Sequence, residues 1–171
     1  MTEHAVRRWS PNDAIAAPLD FYTTPVLREW VDYNGHMTEA AYLTVAGWAA
    51  DALFRYIGDD DEYRAAGNSF YTVETHIHYL REAVEGEVLR ATTQLLGVDQ
   101  KRVHLVTMIV RDHDGAVLSS VEQMLLHVDM NAGRSTAILP DVQAALDAIM
   151  SVHASMRVPA QVGTVMALPS R

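Results

Sequence analysis

Trp30-Val31-Asp32-Tyr33-Asn34-Gly35-His36-Met37-Thr38-Glu39-Ala40-Ala41-Tyr42 joins a carboxylate, a turn and the start of a helix. Asp32 follows a short extended segment, Tyr33-Asn34-Gly35 supplies turn residues, and from His36 onward the pattern becomes helical. A carboxylate placed just before a helix N-terminus faces the unpaired N–H groups of the first turn. That pairing suits acyl chemistry. The amides and the positive end of the helix dipole polarise a carbonyl, while the carboxylate acts as base or nucleophile. The structural alternative for such an aspartate is a cap on the turn or the helix.

Reading outward, Tyr42, Val45, Ala46, Ala49, Leu53 and Ile57 keep a helical period and put one face in a core. Gly58 fits the C-cap, and Asp59-Asp60-Asp61-Glu62 reads as a solvated acidic loop. The opposite helix face carries Thr44, Trp48, Asp51 and Arg55, so Trp48 is either an aromatic at the edge of a helix–sheet interface or a ligand contact. Upstream, Phe21 to Leu27 is strand-like, but Pro25 restricts it to an edge strand or a lead-in. Downstream come strand-like runs near 70–80, 87–97, 102–112 and 116–129, and short links make them antiparallel neighbours. Simple alternation along the first run puts Glu74 and His76 on one face and Tyr71, Val73 and Ile77 on the other. Pro140 opens a second amphipathic helix through Val142, Ala145, Leu146, Ile149 and Val152. One long helix followed by an antiparallel sheet is an α+β layout. The expected division is an N-terminal arm over 1–20, packed on the domain or a partner subunit, one domain over 21–157, and an irregular tail over 158–171.

Composition removes several classes of function. The chain has 171 residues, enough for one domain with a real core. It has no cysteine, hence no disulfide, thiolate nucleophile or cysteine metal site. A formal net charge of −9 argues against a nucleic-acid binder. No apolar run approaches the ~20 residues that span a bilayer, and the N-terminal residues lack a signal core. The expectation is a soluble cytoplasmic protein without nucleic-acid or membrane partners.

Asp32-Tyr33-Asn34-Gly35-His36-Met37, with Tyr42 on the helix, resembles the active-site segment of hotdog-fold thioesterases of the 4-hydroxybenzoyl-CoA thioesterase type. Thr38 and Glu39 stand where that family commonly has asparagines. Together with Phe70-Tyr-Thr-Val-Glu-Thr-His-Ile-His-Tyr-Leu80, they make the chain similar to the branch acting on betainyl-CoA in carnitine breakdown. The resemblance implies a hotdog fold, a sheet wrapped around the long helix, and a homodimer or dimer-based tetramer with sites between subunits. It implies an acyl-CoA substrate, no cofactor, and Asp32 attacking the thioester carbonyl or activating water to do so. It also implies an amide near Glu39 that holds the thioester oxygen.

Gly35 lets the backbone turn closely beneath a substrate, and His36 either orients the loop, contacts substrate or caps the helix. Asn34, Tyr42, Trp48, Tyr71 and Glu74 are the candidate substrate contacts, several of them suited to a cationic acyl end. Arg102, beside Lys101, is a candidate for CoA phosphates. His76-x-His78 lacks a third ligand at motif spacing, so no metal is expected. Hotdog hydratases place a proline between their Asp and His, which this chain does not have. General short-chain or aromatic thioesterase activity, and a non-catalytic acyl-CoA-binding domain, are the remaining alternatives.

Overall fold

The computed structural model describes residues 6–168; the expected arm at 1–5 and the tail at 169–171 lie outside the described residues. In chain order the elements are β1 (Leu19–Pro25), a 3-10 turn (Arg28–Trp30), α1 (Glu39–Ile57), α2 (Asp61–Ala65), β2 (Asn68–Tyr79), β3 (Val88–Val98), β4 (Arg102–Arg111), β5 (Val117–Asp129), β6 (Arg134–Ser135) and α3 (Pro140–His153).

The strands form one antiparallel sheet in the order β1-β3-β4-β5-β2, with β6 added to β5. Here one sequence expectation is corrected: β2 and β3 are consecutive but not neighbours. Residues 80–87 instead carry the chain from one side of the sheet to the other, because β2 pairs with β5 and β3 with β4 and β1. Extra residues at Phe21, Val73, Leu96 and Leu118 shift the register within strands. Such bulges bend and twist a strand, and here they accompany a sheet curled around α1.

The helix presents Tyr42, Val45, Ala46, Ala49, Leu53 and Ile57 to the sheet, all buried as their spacing requires. The alanines among them let the helix backbone approach the strands closely. Its N-terminal half packs against Leu89, Ala91, Ile109, Leu118 and Val121. Its C-terminal half shares a second cluster with Leu146 and Ile149 of α3, Leu105 and Leu125. The arm joins this second cluster through Val6, Trp9 and Ile15, and the Trp9 amide donates to the Tyr56 carbonyl. His153 fastens α3 to both arm and sheet, its Nδ1 accepting from the Leu95 amide and its Nε2 lying 3.0 Å from the Ala16 carbonyl.

Two further expectations are corrected. The acidic stretch is not simply solvated: Asp59 is 1% exposed, and Asp60 caps α2 by accepting from the Tyr63 amide. The bulge at Val73 also reverses alternation along β2. Tyr71 lies opposite Leu126 and Glu74 opposite Met124, so both project to the same face, with His76 and His78. Thr72, Thr75, Ile77 and Tyr79 take the face turned towards α1. The outer face is partly covered, since the irregular segment after α3 returns to it. The Gly163 amide donates to Glu122, and Thr164 meets His78.

Candidate active site

The 80–87 crossing builds the floor under the Asp32 segment. The Met37 amide donates to Ala83 O at 2.8 Å, Val26 N to Glu87 O at 2.8 Å, and Gly86 N to Val26 O at 2.9 Å. His36 Nε2 stands 3.4 Å from the Glu82 carboxylate. Between these anchors the loop closes on itself: Asp32 N donates to His36 O, Gly35 N to Asp32 O, and Thr38 N to Trp30 O. Gly35 has φ 82°, a left-handed conformation that a side chain would strain.

The Asp32 carboxylate accepts from the Asn34 amide at 2.8 Å, from Asn34 Nδ2 at 3.2 Å and more weakly from the His36 amide at 3.4 Å. The Asn34 amide is the main reason its pKa falls below the ordinary 3.8, with His36 and the Asn34 side chain helping. The group is therefore charged at neutral pH and held in one orientation. This is an Asx-type turn, the local device by which an aspartate shapes a loop. It does not occupy the helix start.

That start is bare. Thr38 has the extended conformation of an N-cap, but its side chain makes no capping hydrogen bond. Among the described residues no hydrogen bond reaches the amides of Glu39 or Ala40. Two donors at the positive end of a 19-residue helix therefore have no partner, an arrangement that suits an oxygen carrying negative charge. The first turn is held from the side by two tyrosines. Tyr79 donates its hydroxyl to Glu39 O at 3.2 Å, and Tyr42 donates to Arg81 O at 3.1 Å. Their rings meet edge to face at 5.5 Å.

The structure thus brings Asp32, Asn34, Gly35, His36, Glu39 and Tyr42 together. Tyr42 is buried, and its hydroxyl serves the backbone. Trp48 is 40% exposed and lies about 14 Å further along α1 at 1.5 Å per residue. Tyr71 and Glu74 are on the sheet face away from α1. Arg102 is bound to Asp99 through Nε and Nη2, at the end of β4 remote from Asp32 by about 30 Å of strand. Within one protomer these four do not join the Asp32 cluster. Sequence reasoning missed Tyr79, Arg81 and Glu82; the charges that follow β2 directly were the available signal. Among the described residues no three His, Asp or Glu side chains are arranged to hold a metal ion, and no helix is long and apolar enough to cross a membrane.

An antiparallel sheet curled around one long helix, with a carboxylate loop at that helix's bare N-terminus, is the architecture of the hotdog thioesterases. The chain matches the model of the Thioesterase-like superfamily over residues 26–146 and belongs to that family. It is 44% identical over 152 residues to the betainyl-CoA thioesterase of Pseudomonas aeruginosa, a match covering 88% of this chain and 96% of that one. It is 47% identical over 152 residues to the L-carnitine dehydrogenase/betainyl-CoA thioesterase of Rhizobium meliloti. That match covers 88% of this chain and 31% of the relative, so the chain spans about a third of that relative's length. A crystal structure of a putative thioesterase from Pseudomonas putida superposes with a TM-score of 0.79 at 35% identity, covering 90% of this chain and 98% of that one.

Proposed function

We propose that the protein hydrolyses betainyl-CoA to betaine and CoA, without a metal or dissociable cofactor. The observation that carries this reading is the 44% identity to the Pseudomonas aeruginosa betainyl-CoA thioesterase along 96% of that relative's length. The site supplies a chemistry that fits. The thioester oxygen rests against the Glu39 amide, where the negative charge that develops on it is stabilised by a fixed donor. Asp32 then acts in one of two ways. It attacks the carbonyl carbon to expel the CoA thiolate and form a mixed anhydride that water splits, or it takes a proton from the water that attacks. Either route consumes one water and ends with a carboxylate and a free thiol.

The assembly is a homodimer or a dimer-based tetramer in the cytoplasm, with the site shared between subunits. Two features support this. Among the described residues β2 is an unpaired edge, with Tyr71 and Val73 more than half exposed, and Leu43 and Trp48 are exposed apolar side chains on α1. In such an assembly Trp48, Tyr71, Glu74 and Arg102 serve a neighbour's acyl-CoA. Sedimentation checks the assembly, and a fully active monomer at micromolar concentration would rule it out.

The acyl group is tested by following thiol release from betainyl-CoA and from 3,3-dimethylbutyryl-CoA, which keeps the bulk and lacks the charge. Cation recognition is worth about 2 kcal/mol in a desolvated site, so kcat/KM should favour betainyl-CoA by at least ~10-fold. Equal rates would replace the assignment by a general short-chain thioesterase. No release from any acyl-CoA would leave a binding domain.

A further inference from the structure

We propose, on the betainyl-CoA reading above, that the ring of Tyr79, with the carboxylate of Glu39 near it and that of Glu82 across the site beside His36, is the wall that recognises the cationic end of the acyl group. A trimethylammonium cannot donate an N–H hydrogen bond. In betainyl-CoA it sits one methylene from the thioester carbonyl, so whatever recognises it must stand beside the first turn of α1, where the free amides lie. Attraction to a ring requires the cation within about 6 Å of the ring centre.

Each other aromatic near Asp32 is placed badly for this. Tyr33 is 96% exposed and encloses nothing. Tyr42 is buried, Trp30 packs into the core, and Trp48 lies further down the helix. Tyr79 ends β2 on the face turned to α1, and its hydroxyl is bound to Glu39 O, which lays the ring along the first turn. The Tyr42 ring backs it edge-on, yet the residue remains 48% exposed. Because the hydroxyl proton is already donated and a trimethylammonium has no N–H for the oxygen to accept, what Tyr79 has left to offer this cation is its π face.

The surrounding charge agrees. Glu39 lies close enough to contribute to a raised Tyr79 pKa, after burial. Glu82 stands beside His36, and Asp32 is ionised. Of the nearby arginines, Arg81 donates to Val117 O, and Arg111 is paired with Glu87 and Asp114 and donates weakly to the Glu82 carbonyl at 3.4 Å, leaving the Glu82 carboxylate with His36. Carboxylates clustered at a site for a polyanionic thioester are repulsive unless the acyl end is positive.

The test is the ratio of kcat/KM for betainyl-CoA over 3,3-dimethylbutyryl-CoA in wild type, Y79F, Y79L and E82Q. Y79F should keep the wild-type ratio, since the ring remains. Y79L should bring it from ~10-fold or more to within about threefold of unity. E82Q, at a 70% exposed side chain, should lower the ratio about twofold, more at low salt than at high. If Y79L does not fold, 4-nitrophenylalanine at position 79 replaces it: the ring stays, its negative face is withdrawn, and the ratio should collapse in the same way. A merely structural tyrosine would slow both esters together and leave the ratio unchanged, which overturns the role of Tyr79 alone. A wild-type ratio near one overturns the betainyl-CoA assignment and the wall together.

Discussion

The two ends of α1 each carry an aspartate, and the two behave oppositely. Asp32, before the N-terminus, is open to water and surrounded by N–H donors, and its pKa is lowered. Asp59, after the C-terminus, is 1% exposed, and burial raises its pKa from 3.8 to about 6 in spite of Arg64 at 3.3 Å. Helix polarity adds to the contrast, since the N-terminal end favours a negative charge and the C-terminal end opposes one. The glycines differ too. Gly35 has φ 82° with nothing near its missing side chain, whereas Gly58, with φ 98°, lies under the Arg8 guanidinium. One end keeps amides without a hydrogen bond among the described residues, and the other is closed by packing.

The largest effect expected from this contrast is on turnover. Asp32→Asn should lower kcat by ~1,000-fold or more, about 4 kcal/mol, with the fold retained. Steady-state kinetics beside a thermal melt checks it, and a variant keeping a tenth of wild-type kcat would remove Asp32 from the chemistry. At the other end, the folded pKa of Asp59 lies above its unfolded value. Its contribution to stability is therefore fully present below pH 3.8 and is lost as pH rises through about 6. Asp59→Asn should then stabilise the protein at pH 7.5 by up to roughly 3 kcal/mol and change little at pH 3.5. Urea melts at both pH values decide this, and equal gains at both would contradict it.

Gly58→Ala should cost about 1–2 kcal/mol for the left-handed backbone, plus whatever displaces Arg8. Gly35→Ala should cost the backbone part alone. Denaturant midpoints compare the two, and a larger loss at Gly35 would mean that its loop is more constrained than it looks. The smallest effect is the most diagnostic. Thr38→Asp places an acceptor at the vacant cap and should raise stability by ~0.5–1 kcal/mol. The same substitution should reduce turnover, because it fills the donors proposed to hold the thioester oxygen. A more stable variant with undiminished kcat would show that those amides are not used.

Period and turn chemistry were enough to read the body of α1, its glycine cap, α3 and the extents of the long strands, because each depends on neighbours in sequence; the start of α1 falls at Glu39 and not His36, because Met37 is drawn into an extended bridge with Val31. The bulge at Val73 was not readable. Nothing in Tyr71-Thr-Val-Glu74 distinguishes a straight strand from one with an extra residue, and the difference reverses which face Tyr71 takes. Asp59 resembled any member of an acidic run, since its burial is imposed by α2 and Arg64. The Asp32 loop was visible as a motif, but Glu82 reaches His36 because the chain crosses between β2 and β3 rather than pairing them, and Tyr79 reaches Glu39 O from the last position of β2. Local signals found the loop, and non-local contacts supplied what stands beside it.

The bulges carry a consequence for how chain length can vary among relatives. At Val73 the pairs on either side, Thr72 with Leu125 and Glu74 with Met124, are consecutive on β5. Deleting Val73 would leave an uninterrupted ladder and move no residue to the other face. The same holds for Phe21 between Asp20 and Tyr22, and for Leu96 between Leu95 and Gly97. Single-residue gaps in an alignment of relatives are therefore expected inside these strands and not only in the loops, and each should alter the curl of the sheet while preserving every partner.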